Sequence, residues 1–461
     1  MKQGLIWCAA SVVAILAGSA HAEDAQETAA SSKRLDSVII VGTRAEARSA
    51  ADSLSPVDLL QGSDVETAGF NDLSKSLQFL LPAVNYPRSA TAFSSTGTRG
   101  ITLRGLTPDQ TLVLVNGKRR HASAVMNTNN TIGRGTVPVD MNTIPASAIK
   151  RVEILRDGAA SQYGSDAIGG VINIVLKDDS EATHGAFQYG QTERGDGETY
   201  IASVSQGFTI GQTGNVTLTA EYRDRAFTNS ANIDPRFGRV TQKVGDPEQQ
   251  DLNLVANWSL PVVRGGELYG FATYADRDTQ TNPLFRTPAV APSVYPDGFL
   301  PDIGIDLEDA GGALGYIYTL SGWTLDVSDT FGYSAADFSV DHTVNTSLIG
   351  MQAPLQTSFY SGGTEYSQNI LNLTAIRKLD ILAGTNLALG AEHRHENYKL
   401  LAGEPNSYEG AGAQGLPGFS PPGPVDEGRD AVSLFADLEA DITAFLSLAG
   451  AIRYEDYSDF G

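Results

Sequence analysis

Cysteine is nearly absent: the 461 residues contain one, Cys8, inside the first apolar stretch. It precedes most of that stretch instead of following it, which excludes a lipid-modified anchor. The remainder is expected to hold no disulfide and no thiolate metal site. Long apolar runs are missing too. Beyond the leader nothing approaches the roughly 18 consecutive apolar residues of a membrane helix. That does not exclude membrane strands, which alternate apolar and polar residues and carry a weak signal each. Positive charge is scarce: 32 Lys and Arg against 54 Asp and Glu leave a net charge of -22. This balance argues against nucleic acid or polyanionic partners. No Ser, His and Asp set and no P-loop occurs in a fitting context, so the chain is not read as an enzyme and no cofactor is expected.

Two local patterns fail on inspection. GAGAQG, Gly410–Gly415, matches G-x-G-x-x-G, but that motif has meaning only between a strand and a helix. Here it lies in a Gly/Pro-rich stretch running into GFSPPGP and reads as a flexible loop. His393 and His395 are two apart on an apolar-patterned strand and share a face near its external end. No third ligand is suggested nearby, so they read as a rim pair and no metal site is expected.

What is present divides into four segments. Residues 1–22 have the order of a secretory signal: Lys2, an apolar core over Leu5–Ala17, and the small-x-small site Ala20-His21-Ala22. Residues 23–50 form a polar leader with one apolar patch in LDSVIIVGTRAE. Residues 51–177 are mixed. Asp64–Leu81 has helical spacing, with Asn71 or Asp72 as cap and Pro82 as stop. GITLRGL and TLVLVNGKRR read as strands, the second followed by an Asn116-Gly117 tight turn. Two more short strands flank the Gly/Ala/Ser-rich link in IKRVEILRDGAASQYGSDAIGGVINIVLK, Ile149–Lys177.

From residue 178 the pattern is all-β. Eleven candidate strands lie near 183–191, 199–209, 215–225, 251–260, 267–277, 311–320, 323–341, 367–377, 387–398, 430–440 and 446–457. In NVTLTAEYR, Val216, Leu218, Ala220 and Tyr222 take one face, while Thr217, Thr219, Glu221 and Arg223 take the other. One face suits lipid and the other a wet lumen. After the first hairpin, short and long connections alternate strictly. Ile210–Gly214, Pro261–Gly266, Ser321-Gly322, Lys378–Asn386 and Asp441–Phe445 are short. Ala226–Gln250, Asp278–Ala310, Asn345–Tyr366 and Lys399–Arg429 are long. Short periplasmic turns and long external loops are the organisation of an outer-membrane barrel, whereas a soluble sandwich has no reason to segregate them.

TRGITLRGL, LVLVNGKRR, the segment Val137–Lys177 and the terminal RYEDYSDFG together resemble the TonB-dependent outer-membrane receptors, in family order. The resemblance implies an α+β plug domain, 51–177, followed by an all-β transmembrane barrel from 178 onward. It implies import of a scarce ligand across the outer membrane of a Gram-negative bacterium, with TonB, ExbB and ExbD as partners and outer-membrane lipid around the wall. Ferric siderophore is the default cargo; carbohydrate or corrinoid uptake is the alternative. A passive β-barrel channel is the rival from another class, and the plug strands speak against it. An adhesion or signalling protein would need a further N-terminal domain, for which the short leader has no room.

The same resemblance places a TonB box at Asp36, Ser37, Val38, Ile39, Ile40 and Val41. An extended β-branched stretch of this kind can add to an open sheet edge on a partner. Arg104 and Arg156 match plug positions that pair with barrel glutamates in the family. Candidate ligand-binding residues on the upper plug loops are Arg88, Phe93, His121, Met126, Asn127, Asn129, Asn130 and Arg134. One departure stands out. Plugged transporters have about 22 strands, and about half that number is found. The chain also stops at Phe460-Gly461 inside what looks like a family motif, so a truncated sequence is expected.

Overall fold

The computed structural model describes Val38–Ile39, Arg48–Ser49 and residues 55–460, apart from 71, 87–95, 99, 129–130, 157–158, 180, 263–264, 352–353, 383, 422–424 and 444–445. The expected signal peptide lies outside the described residues. So do Asp36, Ser37, Ile40, Val41, Arg88, Phe93, Asn129 and Asn130.

The first half builds a small sheet around an apolar centre. β1 (Val38–Ile39) pairs with β2 (Arg48–Ser49), antiparallel and outside the main sheet. β3 (Val57–Gln61) opens that sheet, while β4 (Val84–Asn85) and β5 (Thr102–Leu103) make a separate short pair. β6 (Thr111–Val115), β7 (Lys118–Arg119), β8 (Ile149–Leu155) and β9 (Gly170–Leu176) complete it in the order β3-β8-β9-β6-β7. Only the β6–β9 pairing is parallel. β9 reads GVINIVL without alternation because it is buried on both faces, as a doubly covered central strand must be. Its one polar side chain, Asn173, donates to Glu153 on β8 at 3.1 Å, and Arg151 donates to the same carboxylate at 2.8 Å. The buried charge is thereby paired.

The helical stretch expected over Asp64–Leu81 is two helices, Gly62–Thr67 and Leu73–Leu80, broken at Gly69 where φ is +78°. Asp72 occupies the N-cap position of the second, yet its side chain caps nothing. The carboxylate is committed elsewhere, to arginines of the strand wall. Asn142 replaces it at the helix start, accepting from the Leu73 amide at 3.0 Å.

The second half is one antiparallel sheet of eleven strands in sequence order. These are β10 (Thr183–Gly190), β11 (Thr199–Ile210), β12 (Gly214–Arg225), β13 (Glu248–Val262), β14 (Gly266–Thr281), β15 (Asp302–Leu320), β16 (Trp323–Asp341), β17 (Phe359–Leu379), β18 (Gly384–Ala402), β19 (Val425–Thr443) and β20 (Leu446–Tyr457). Outward positions carry the apolar band: Leu218, Tyr222, Leu254, Leu314, Phe331, Leu371 and Leu434 are all exposed. Inward positions on β12, Thr217, Thr219, Glu221 and Arg223, are at most 5% exposed. The inner face is therefore not a wet lumen. The plug covers it.

Every strand from the fourth onward except the last and β16 is longer than its alternation suggests. β15 starts at Asp302 where the pattern begins near 311, and β17 starts at Phe359 where it begins near 367. A tilted strand crosses a bilayer in about 9–11 residues, so the outer half of a 21-residue β17 stands beyond the lipid. There the polarity inverts. In DIGIDLEDA, Ile303, Ile305 and Leu307 are buried inside, while Asp306 and Glu308 hold the outer face. The long connections shrink to 226–247, 282–301, 342–358 and 403–424 but keep their alternation with short ones. The GAGAQG stretch is not a free loop either: Ala413 is fully buried and bridges Asn345.

Ile172 is fully buried in the plug core. Ile172→Ala is expected to destabilise the plug by about 2–5 kcal/mol. Limited proteolysis against urea should show the plug becoming cleavable at lower denaturant than the wall.

Candidate functional site

A tight turn presents the plug's most basic run to the wall. β6 and β7 are joined by Asn116-Gly117, both at positive φ (48° and 77°), with Val115 opposite Lys118. This is the two-residue geometry that Asn-Gly favours. Beyond it, Lys118, Arg119, Arg120 and His121 fan out. Lys118 pairs with Asp326 on β16 at 2.8 Å. Arg119 pairs within the plug, with Asp166. Arg120 donates to Thr273 on β14 at 2.7 Å and to the carboxylate of Asp309 on β15. His121 meets the other oxygen of Asp309 at 3.0 Å.

His121 fits because the wall has no side chain there. Gly311 on β15 and Gly332 on β16 are direct register partners. A Cβ on Gly332 would lie 2.2 Å from the His121 ring, and one on Gly311 would lie 2.4 Å from the Arg120 guanidinium. Two neighbouring strands thus share a notch that receives the plug. His121 is only 2% exposed. Burial, reinforced by Arg120, pushes its pKa below the usual histidine value despite the opposing pull of Asp309.

A second group of charges joins the plug to β12–β14. Asp140 of the plug pairs with Arg277, which also holds Asp251. Asp72 pairs with Arg225 at 3.2 Å and lies 3.6 Å from Arg223. Lys75 reaches Asp246 at 2.8 Å, and Ser147 donates to Glu221 at 2.7 Å. Arg225 and Arg277 are 1% and 2% exposed. Charges buried this deeply persist because each has a partner, and removing one partner typically costs about 3–5 kcal/mol.

The Gly/Ala/Ser-rich link between β8 and β9 reaches the opposite end of the sheet. A short helix, Ala160–Tyr163, is followed by Gly164 at φ +121°. The Ser165 amide donates to Glu455 on β20 at 3.1 Å, its hydroxyl lies 3.3 Å from the Tyr457 hydroxyl, and Gln162 donates to Asp437 on β19 at 2.9 Å. Small residues let this link press against the wall. The plug thus touches strands from β12 to β20, which requires the sheet to curve around it.

The candidate residues are distributed differently from the sequence expectation. His121 sits in the wall notch, not on an open ligand surface. Asn127 is buried and donates to Ile132 O at 3.4 Å, holding its own loop. Met126 and Arg134 are exposed at the outer end of the plug. Arg104 donates to the Arg156 carbonyl at 2.8 Å, and Arg156 pairs with Asp58 at 2.9 Å. Both partners are within the plug. Val38 and Ile39 form β1. His393 and His395 flank Asp430 at 3.5 and 3.0 Å on the exposed rim. Sequence reading missed Asp72, Asp140, Asp309, Arg225 and Arg277. For Arg225, Arg277 and Asp309 the available signal was a charged residue at an inward strand position, which a wet lumen explains as well as a filled one.

With a plug sheet seated by ion pairs inside an antiparallel wall, the comparisons with known proteins become decisive. Residues 49–171 match the family model described as TonB-dependent Receptor Plug Domain. That segment is a plug domain of the TonB-dependent receptor type. A probable TonB-dependent siderophore receptor, PirA of Acinetobacter baumannii, is 38% identical over 128 residues, 26% of this chain and 16% of its own length. The ferric enterobactin receptor of Pseudomonas aeruginosa is 30% identical over 184 residues, 38% of this chain and 23% of its own. The solved structure of a variant of PfeA, a ferric enterobactin receptor of the same species, superposes at TM-score 0.65 with 18% identity, covering 88% of this chain and 58% of PfeA. That likeness shows the fold. The chain thus spans little more than half of the solved chains it resembles.

Two outcomes test the seat of the plug. Gly332→Ala forces a methyl group into the His121 ring, and overpacking of this kind costs about 1–3 kcal/mol; tryptic cleavage of the plug should speed up while the wall stays resistant. The second concerns acid. His121 has a folded pKa below its unfolded value, so the stability of its neutral seat is present above about pH 6.5 and lost as pH falls below it. Plug protection should weaken as pH falls below about 6.5, and His121→Gln should flatten that dependence.

Proposed function

We propose that this receptor chain supplies the plug and part of the wall of an importer of ferric siderophores in the outer membrane of a Gram-negative bacterium. The observation that carries the reading is the filled interior: buried ion pairs hold the plug against β12, β14 and β15 and hydrogen bonds tie it to β19 and β20, so passage requires work on the plug. A passive channel has no use for such a closure. The names of the relatives support the cargo, since several are siderophore receptors.

In this reading Asp36–Val41 is the TonB box. The strand adds to a sheet edge of TonB, which draws on the plug with energy supplied through ExbB and ExbD. The Val38–Ile39 strand, paired only with Arg48–Ser49, suits a segment that exchanges partners. Arg104 and Arg156 serve as plug contacts to further wall, and Met126, Asn127 and Arg134, with Arg88, Phe93, Asn129 and Asn130, as ligand-side residues. Residues 51–177 act as the gate and the strands from 178 as its frame.

Val38→Pro in the full-length receptor removes a ladder donor and fixes an unsuitable backbone. Uptake of a radio-iron siderophore should fall to the level of a strain lacking TonB, while binding of the same complex to cells is retained. Uptake that survives the substitution, or that proceeds without TonB, contradicts the reading.

A further inference from the structure

The outward face of the wall holds almost no Lys or Arg. Among the described residues the outward positions of β11–β20 carry one of each, Lys399 on β18 and Arg377 on β17. Lys399 lies in the polar outer part of the wall, 3.7 Å from its register partner Glu365. Arg377 lies at the other end. It continues the face of Leu371 and Leu373, which are exposed within the apolar band. Among the described residues it enters no ion pair and makes no hydrogen bond.

A ring holds it instead. Ser321 and Gly322, at φ 51° and 78°, close a two-residue turn between β15 and β16. Trp323 therefore begins β16 with Arg377 as its direct register partner. The Arg377 guanidinium stands over the Trp323 ring at 5.5 Å. An arginine held by cation–π attraction keeps N–H edges free, and that fork matches two oxygens of a phosphate. A lysine would offer only a point charge.

The adjoining turn is apolar where a turn in water is usually polar. Between β17 and β18, Ile381 and Leu382 are 54% and 62% exposed. Leu382 takes φ 59°, and Thr385 donates to the Ile381 carbonyl at 2.9 Å, so the turn is held with those side chains outside. On β15, Tyr316 and Tyr318 stack at 6.3 Å on the same outward face. Aromatic and basic side chains at the edge of an apolar band mark the headgroup level. Short turns lie on the periplasmic side of such a wall. The headgroups at Arg377 are therefore those of the periplasmic leaflet, and the anion they share is the phosphodiester.

We propose that Trp323, Arg377 and the Ile381-Leu382 turn form a binding site for a single phospholipid of the periplasmic leaflet. Arg377 takes the phosphodiester, and the turn packs against the first acyl carbons. Charge selects the occupant: in a chain of net charge -22 this arginine has no carboxylate partner, and phosphate is the anion at its depth. The inference rests only on the outer-membrane location in the reading above, not on the cargo. It fixes the height at which the wall sits in the bilayer.

The test uses the full-length receptor, purified from outer membranes, stripped of lipid in detergent and titrated with phosphatidylglycerol while native mass spectrometry counts the adducts. Wild type should hold a single lipid in preference to diacylglycerol, which lacks the phosphate. Arg377→Gln should weaken that adduct about 10-fold, as expected for loss of a charged hydrogen-bond donor. Arg377→Lys should restore part of the affinity, and Lys399→Gln should bind as wild type. Unchanged affinity in Arg377→Gln, an equal loss in Lys399→Gln, equal binding of diacylglycerol, or displacement of the lipid by inorganic phosphate overturns this inference and leaves the import reading standing. A receptor absent from the outer-membrane fraction overturns both.

Discussion

The structure depends on one constraint: a charge taken out of water needs a partner. Eleven strands with polar inward faces would be costly around an empty apolar space, and the plug's charged surface would be costly in any apolar setting. Each answers the other. Asp72 and Asp140 meet Arg225 and Arg277; Lys118, Arg120 and His121 meet Asp326 and Asp309. Ion pairs of this sort add little net stability over a well-packed apolar contact, but they give orientation. An apolar seam would tolerate slippage by a residue, whereas a displaced Asp309 leaves Arg120 without its countercharge and His121 without its hydrogen-bond partner.

That pairing also explains why the plug can be both seated and removable. Its own core, around Leu77, Leu103, Val152, Ile172 and Ile174, is apolar and runs on into Val255, Phe271 and Ala313 of the wall. Most of its named contacts to the wall are polar. Water can replace such contacts as they open, which is not true of buried aliphatic surface.

The division into plug and wall was legible in the sequence because it rests on local patterns. Alternation located eleven strands, and β16 and β20 keep the expected limits of 323–341 and 446–457. The Asn116-Gly117 turn was equally plain. Strand extent was less so. Alternation was sought with apolar residues outward, and in Asp302–Ala310 the solvent outside is water while the neighbour inside is the apolar cluster of Ile305, Phe338 and Val125. The candidate site was the least legible part. His121 stands at the start of a polar loop and looks like a surface residue. Its burial is decided by Gly311 and Gly332, roughly two hundred residues away in the chain. Asp72 looked like a helix cap because the local rule favours that use, and a tertiary partner outbid it.

The glycine notch has a consequence for inheritance. Gly311 and Gly332 are defined by what they omit, and the omission has value only to a plug bearing a ring at position 121. Neither half can be exchanged alone. A plug borrowed from another receptor would bring its own protrusions to a wall cut for a different shape, and a wall borrowed from elsewhere would set a methyl group where His121 must lie. Recombination within this lineage should therefore keep the two together, with crossovers selected against between residues 121 and 332.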